Sequence, residues 1–308
     1  MAEESRGAVF AAMGANLGIA VGKLTAGLLT GSGAMLAEAG HSFADTINQV
    51  FLLIGLNLAG TRADERHPHG YGKEGFFWSF LAAIFIFVAG ATFSVYEGVR
   101  TLVQNDTGQH SRGEIVLAYA VLGMAALFEG SSWSVAVRAM RRGARERAWS
   151  FVRYLKRSPD LTAKAVFWED SAAMVGLALA ATGLGLSELT GTERWDGMAS
   201  LGIGVVLALA AFLLGVQSRS LLLGEAANPE TRDAIRQTVE AFPEVNGIVR
   251  LLTMQLGARS VLVTGEIEVR RGLTTEQIED LLTRIDSRLS ETVPEISDTF
   301  WELHPCLK

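Results

Sequence analysis

Residues 37–49 read AEAGHSFADTINQ, inside an apolar run long enough to cross a membrane. His41 and Asp45 are four residues apart, so on a helix they stack on one face, with Asn48 one turn further along the same stripe. A second apolar segment, VFWEDSAAMVG at 166–176, carries Glu169 and Asp170. Ionisable side chains are costly in hydrocarbon, and where a span keeps them they mark function. An imidazole and carboxylates from two helices make a donor set suited to a divalent metal ion.

The rest of the composition agrees with a membrane setting. Of 308 residues, 49% are hydrophobic and only 19% charged, which is apolar for a soluble enzyme. Six segments qualify as spans, at 7–30, 33–60, 75–103, 113–140, 161–188 and 195–223. Gly14, Gly18 and Gly22 form a small-residue stripe on the first, expected to let another helix approach closely. Lys23 lies in the same segment, with Glu38 on the next as its expected partner.

Orientation follows from Lys and Arg. Six arginines from Arg138 to Arg153, with Lys156 and Arg157, separate the fourth and fifth segments; Arg62, Arg66 and Lys73 follow the second. The remaining loops are nearly free of basic residues, so both basic loops and both termini are expected in the cytoplasm. At about 1.5 Å per residue, His41–Asp45 and Glu169–Asp170 then fall near mid-membrane depth and can meet. The N-terminus, MAEESRGAVF, has no basic stretch before its apolar run and reads as neither signal nor transit peptide. A bacterial inner membrane is the expected location.

The candidate site draws on His41, Asp45 and Asp170, with the fourth position open among Glu169, the Asn48 amide oxygen and water. Glu169 is about 100° round the helix from Asp170 and either reaches the site or faces another helix. For Asn48, a helix–helix hydrogen bond competes with ligation. Glu129 in the fourth segment is a candidate proton carrier, and Asp196 is expected to cap the sixth segment. Asp64, His67 and His69 in DERHPHGYGKEG form a second concentration of ligand types. That loop reads either as a metal site or as a tight turn set by Pro68, Gly70 and Gly72. His110 and His304 are single and read as structural or solvated. One cysteine, Cys306, excludes an intramolecular disulfide and a Cys-rich zinc site.

After Leu223 the character changes. From Gly224 to Lys308 there are 9 basic and 15 acidic residues, an acidic balance that leaves no surface for nucleic acid. Asn228-Pro229-Glu230 opens a capped helix. Residues 245–257 and 260–272 read as strands, the second alternating Val261, Val263, Gly265, Ile267 and Val269 against Leu262, Thr264, Glu266, Glu268 and Arg270. Residues 273–293 read as a helix with Ile278, Leu281, Leu282, Ile285 and Leu289 on one face, and DTFWELHP as a third strand. The expected architecture is an α-helical membrane protein: a six-helix transmembrane domain over 1–223, then a small cytoplasmic α+β domain over 224–308. The order α-β-β-α-β gives helices on one side of a three-stranded, ferredoxin-like sheet whose bare face invites a second copy.

HSFAD in the second segment, HPHGYGKEG after it, the Asp170 segment, six spans and the α-β-β-α-β tail together resemble the cation diffusion facilitator family. The resemblance covers nearly the whole chain. It is greatest to the branch whose fifth helix reads EDSAA, shared by bacterial members and a mitochondrial zinc exporter. It implies a homodimer exporting Zn2+ or a similar ion, as substrate rather than prosthetic group, in exchange for protons. It also implies ligands at His41, Asp45 and Asp170, with Val166 standing where the family's first fifth-helix ligand would be. In the loop, Asp64 and His67 match ligand positions of some members, and Tyr71 stands where a histidine would be. An oxygen-richer site tilts preference towards Mn2+, Co2+ or Fe2+. Metal ligands must shed protons to bind, so proton exchange follows from the same residues. The competing reading is a metal-binding membrane scaffold or sensor that does not transport. No nucleophile–base constellation supports an enzyme.

Overall fold

The computed structural model describes residues 2–104, 111–158 and 161–304. His110 and Cys306 lie outside the described residues. The chain forms two compact units. The first holds the described residues up to 55, from 78 to 155 and from 161 to 218; the second holds 56–77, 156–158 and 219–304.

In the first unit, α1 (Ala2–Thr30) and α2 (Gly33–Ala59) are followed by α3 (Glu74–Phe85) and α4 (Thr92–Gln104), joined by a π-helical turn at Ile86–Ala91. Then come α5 (Arg112–Glu146), a short α6 (Phe151–Arg157), α7 (Leu161–Thr190) and α8 (Arg194–Leu223). Among the described residues, α2, the α3–α4 pair, α5, residues 166–190 of α7, and α8 are each long and apolar enough to span a membrane. α1 covers the first expected segment as one helix. The π turn widens the third span, with the Thr92 amide donating to Phe87 O five residues back.

Helix contacts are made largely by small side chains. Ala26, Ala34, Ala118, Ala125, Ala173 and Ala180 are almost completely buried, as expected where close packing replaces a hydrophobic drive between helices. α4 and α8 cross almost backbone to backbone: a Cβ on Gly98 would stand 2.8 Å from Leu201 N and 2.9 Å from Gly197 O. The expected glycine stripe of α1 plays no such part. A Cβ on Gly14 or Gly18 meets nothing, and one on Gly22 only Val121 at 3.9 Å. α1 instead buries Ile19, Lys23 and Ala26, while Leu17, Val21, Leu24 and Leu28 face outward.

Asp196 also departs from expectation. Its carboxylate caps α2: Oδ1 accepts from Ser32 Oγ at 2.6 Å and Oδ2 from the Ala34 amide at 3.0 Å. Orphan amides at the start of α2 take a carboxylate from another helix because no acid precedes them locally.

In the second unit, α9 (Pro229–Glu240) starts as expected, with Asn228 accepting the Thr231 amide at 2.9 Å and Pro229 in the first turn. β1 (Val245–Gly257) pairs antiparallel with β2 (Ser260–Val269). β2 pairs parallel with β3 (Ile296–His304), and α10 (Thr275–Thr292) supplies the crossover that a parallel pair requires. α10 is opened by a capping box between Thr274 and Gln277. Ile235, Val239, Val263, Ile267, Leu281, Ile285 and Leu289 are completely buried between helices and sheet. Gly265 is needed under the Trp301 ring, which a Cβ there would meet at 2.3 Å. Val249, Leu252 and Phe300 remain about half exposed.

Truncating Ile285 to alanine removes a fully buried side chain and is expected to cost about 2–5 kcal/mol. Amide hydrogen exchange in β2 and α10 of the intact protein should accelerate at least tenfold. Unchanged protection would remove Ile285 from the core.

Candidate metal centre

α2 presents Glu38, His41, Ser42, Asp45 and Asn48 on one stripe, the positions i, i+3, i+4, i+7 and i+10 of a helix. All five are buried, His41 and Asp45 to 1% and 3% exposure. His41 Nδ1 stands 3.2 Å from Asp45 Oδ1, close but not aligned as a hydrogen bond, since both atoms are left without a hydrogen-bonded partner.

From α7, Glu169 and Asp170 diverge as neighbours on a helix must. Glu169 faces α2: its Oε2 accepts from Asn48 Nδ2, and its carboxyl lies within electrostatic reach of that of Asp45. Asp170 turns to α5, where its Oδ2 accepts from Ser132 Oγ at 2.8 Å. Glu129, one turn before Ser132, lies within electrostatic reach of Asp45, Glu169 and Asp170. The structure therefore brings His41, Asp45, Asn48 and Glu169 together and holds Asp170 beside them through a different partner. Val166 packs in an apolar cluster with Leu52, Ala83, Ile86, Ala211 and Leu214.

The expected Lys23–Glu38 pair is present, with Nζ 2.9 Å from Glu38 Oε2 and donating also to Ser42 Oγ at 2.7 Å. Ser42 and Ser132 escaped notice in the sequence. The signal available was spacing: Ser132 is three residues from Glu129 and Ser42 four from Glu38, so each shares a face with a buried acid.

Chemically, the centre is a set of acceptors short of donors. Both ring nitrogens of His41, Asp45 Oδ1, Asn48 Oδ1 and Glu169 Oε1 are buried without a hydrogen-bond partner. Each such atom carries a penalty of about 1–3 kcal/mol, and a divalent cation is a partner that satisfies oxygen and imidazole acceptors at once. Among the described residues no three His, Cys, Asp or Glu side chains are already drawn to one point. Glu169 is tied to Asn48 and Asp170 to Ser132, so gathering the ligands requires side-chain rotation.

The loop ligand types are occupied otherwise. Asp64 Oδ1 accepts the Arg66 and His67 amides at 2.9 and 2.7 Å, and Oδ2 accepts from Tyr71 Oη at 2.8 Å. His67 stacks on Tyr71 with ring centroids 4.1 Å apart, while His69 Nδ1 meets Asp298 Oδ2 of β3 at 3.1 Å. The turn is an Asx turn closed by a tyrosine, and it does not gather Asp64, His67 and His69 on one point. The His67 amide, and after it the Tyr71 hydroxyl, hold the Asp64 carboxyl below the usual carboxylate range. A depressed folded-state pKa means the turn is supported above the ordinary carboxylate value and loosens as pH falls below it. Amide exchange across 64–71 should therefore be slower than in Asp64→Ala at pH 6, with the difference vanishing in acid. Equal exchange at pH 6 would contradict the turn's dependence on Asp64.

Comparison with known proteins bears on the family of the chain. Residues 9–223 match the cation efflux transmembrane domain, and residues 227–306 match the cytoplasmic domain of cation efflux proteins. The chain is 31% identical over 288 residues to the mitochondrial proton-coupled zinc antiporter SLC30A9 of Homo sapiens, covering 92% of this chain and 50% of that one. It is 31% identical over 234 residues to metal tolerance protein C4 of Arabidopsis thaliana, covering 76% of this chain and 50% of the other. Magnetosome protein MamB of a Magnetospira strain is 26% identical over 203 residues, covering 66% of this chain and 62% of the other. The chain spans about half the length of the first two relatives.

Proposed function

We propose a function from one premise: the chain belongs to the cation efflux family, a family of multi-pass membrane transporters and not of enzymes. On that premise the protein moves divalent metal cations, Zn2+ first among them, across a membrane in exchange for protons. The observation that carries the reading is the buried cluster of unpartnered acceptors on His41, Asp45, Asn48 and Glu169. The name of the Homo sapiens relative supports zinc and proton coupling. The cation is held by His41, Asp45 and Glu169, with Asp170 joining when it leaves Ser132 and Asn48 lending its amide oxygen. Mn2+, Co2+ and Fe2+ are the alternative substrates of an oxygen-rich set.

Proton exchange follows from the Asp45 and Glu169 carboxyls. Metal ligands must shed any proton they carry, so an ion that takes the oxygens of both carboxyls competes with protons for them. Glu129, near both, is the proposed relay. Residues 1–223 form the transport domain. Residues 224–308 form a cytoplasmic domain that pairs two copies through the sheet face bearing Val249, Leu252 and Phe300. The basic loops and both termini face the cytoplasm of a bacterial inner membrane. The Asp64 loop, with His67 and His69, is assigned as a structural turn.

Uptake of 65Zn2+ into proteoliposomes tests the reading. Uptake should be faster with an acidic lumen than at equal pH. Equal rates would contradict proton exchange, and zinc binding without uptake would favour a scaffold or sensor.

A further inference from the structure

Lys23 is completely buried within the helical unit. Its ammonium donates to Glu38 Oε2 and Ser42 Oγ, and Glu129 lies within electrostatic reach of both Lys23 and Glu38. The ammonium is thus held by one carboxylate and a hydroxyl, with the Glu129 carboxyl in electrostatic reach, all oxygen groups of the kind hard divalent cations take. Two carboxylates balance one divalent ion but over-balance one ammonium.

A purely structural ion pair in a span should be fully satisfied, because an incompletely bonded buried charge is costly. Here Glu38 Oε1 is buried with no hydrogen-bond partner. α7 leaves room over it with Gly176, whose Cβ would stand 2.2 Å from that oxygen. Glu38 is three residues from His41 on the same face of α2, about 4.5 Å along the axis. The polar stripe from Asn48 to Glu38 therefore runs on past the metal centre towards the N-terminal end of α2.

We propose that the Lys23 ammonium is a tethered stand-in for the cargo, and that Glu38, Ser42 and Glu129 form a second divalent-cation site next to the His41–Asp45–Glu169 centre. This rests on the reading of the chain as a divalent-cation carrier. When the cargo moves along the stripe, the ammonium swings aside on its flexible stem and the ion takes Glu38. When the ion leaves, Lys23 returns, and the vacated carboxylates do not recapture it.

Equilibrium dialysis with 65Zn2+ on the full chain in detergent tests the site. Lys23→Met should bind one more Zn2+ per protomer than the native chain. The double variant Lys23→Met/Glu38→Gln, with the charge pair removed together, should return to the native count. Glu38→Gln alone should keep the native count and slow 65Zn2+ flux in proteoliposomes at least about tenfold, the scale of losing a metal-site carboxylate. A native count in Lys23→Met, or native flux in Glu38→Gln, overturns the proposal. Should Lys23→Met not fold, the Glu38→Gln flux decides. Absence of flux in the native chain would overturn the transport reading separately, and the extra ion in Lys23→Met would still decide the site.

Discussion

Replacing Asp45 with alanine is expected to abolish zinc transport, lowering 65Zn2+ flux in proteoliposomes by at least about a hundredfold. The Asp45 Oδ1 stands 3.2 Å from His41 Nδ1 across one turn of α2, and its carboxyl is within electrostatic reach of that of Glu169 on α7. Its Oδ1 is buried without a hydrogen-bond partner. On the proposed function, removing Asp45 takes away a metal ligand and a carboxyl that exchanges protons for the ion. Loss of outer-shell partners alone weakens metal sites about 10–100-fold, so loss of a ligand should exceed that range. Asp45→Asn should fail nearly as badly, because the amide keeps the shape but loses the charge that balances the ion. An unaltered circular dichroism spectrum is expected in both, since α2 remains capped by Asp196 and packed through its alanines. Flux surviving in both variants would place the cargo elsewhere.

Glu169→Gln is expected to weaken zinc affinity by about 10–100-fold and to reduce the number of protons released per zinc bound. Glutamine retains the acceptor for Asn48 Nδ2, so the contact between α2 and α7 survives while the negative charge does not. The proton count is read by calorimetry at one pH in two buffers of different ionisation enthalpy. A purely structural Glu169 would leave it unchanged. By comparison, Ser132→Ala removes one hydroxyl hydrogen bond to Asp170, worth about 1 kcal/mol, and should change affinity by several-fold at most.

The pattern of charges in apolar segments made most of the centre readable in advance. His41, Asp45 and Asn48 share a face by spacing alone, and Lys23 had Glu38 in the neighbouring span to pair with. In the second unit, alternation over 261–269 and the caps at Asn228 and Thr274 are local signals, and the strands and helices follow them. What could not be read depends on rotation and on distant partners. Glu169 and Asp170 are adjacent, so which one faces α2 depends on how α7 is turned against α5, a packing outcome with no local signature. Asp196 caps a helix more than 150 residues away in sequence, and only the approach of α8 to the start of α2 makes that possible. The α1 glycines have helix-packing spacing yet face outward, because the face bearing Lys23 has the stronger claim on the interior. The acids and histidines of the 64–71 loop match ligand chemistry, but neighbouring amides and Tyr71 occupy Asp64 first.

The most direct measurement is diffraction from zinc-loaded crystals at energies on either side of the zinc absorption edge. The account predicts an anomalous peak between α2 and α7, about 2.0–2.2 Å from a nitrogen of His41 and from carboxylate oxygens of Asp45 and Glu169. A peak confined to the 64–71 loop, with none between the helices, would contradict it.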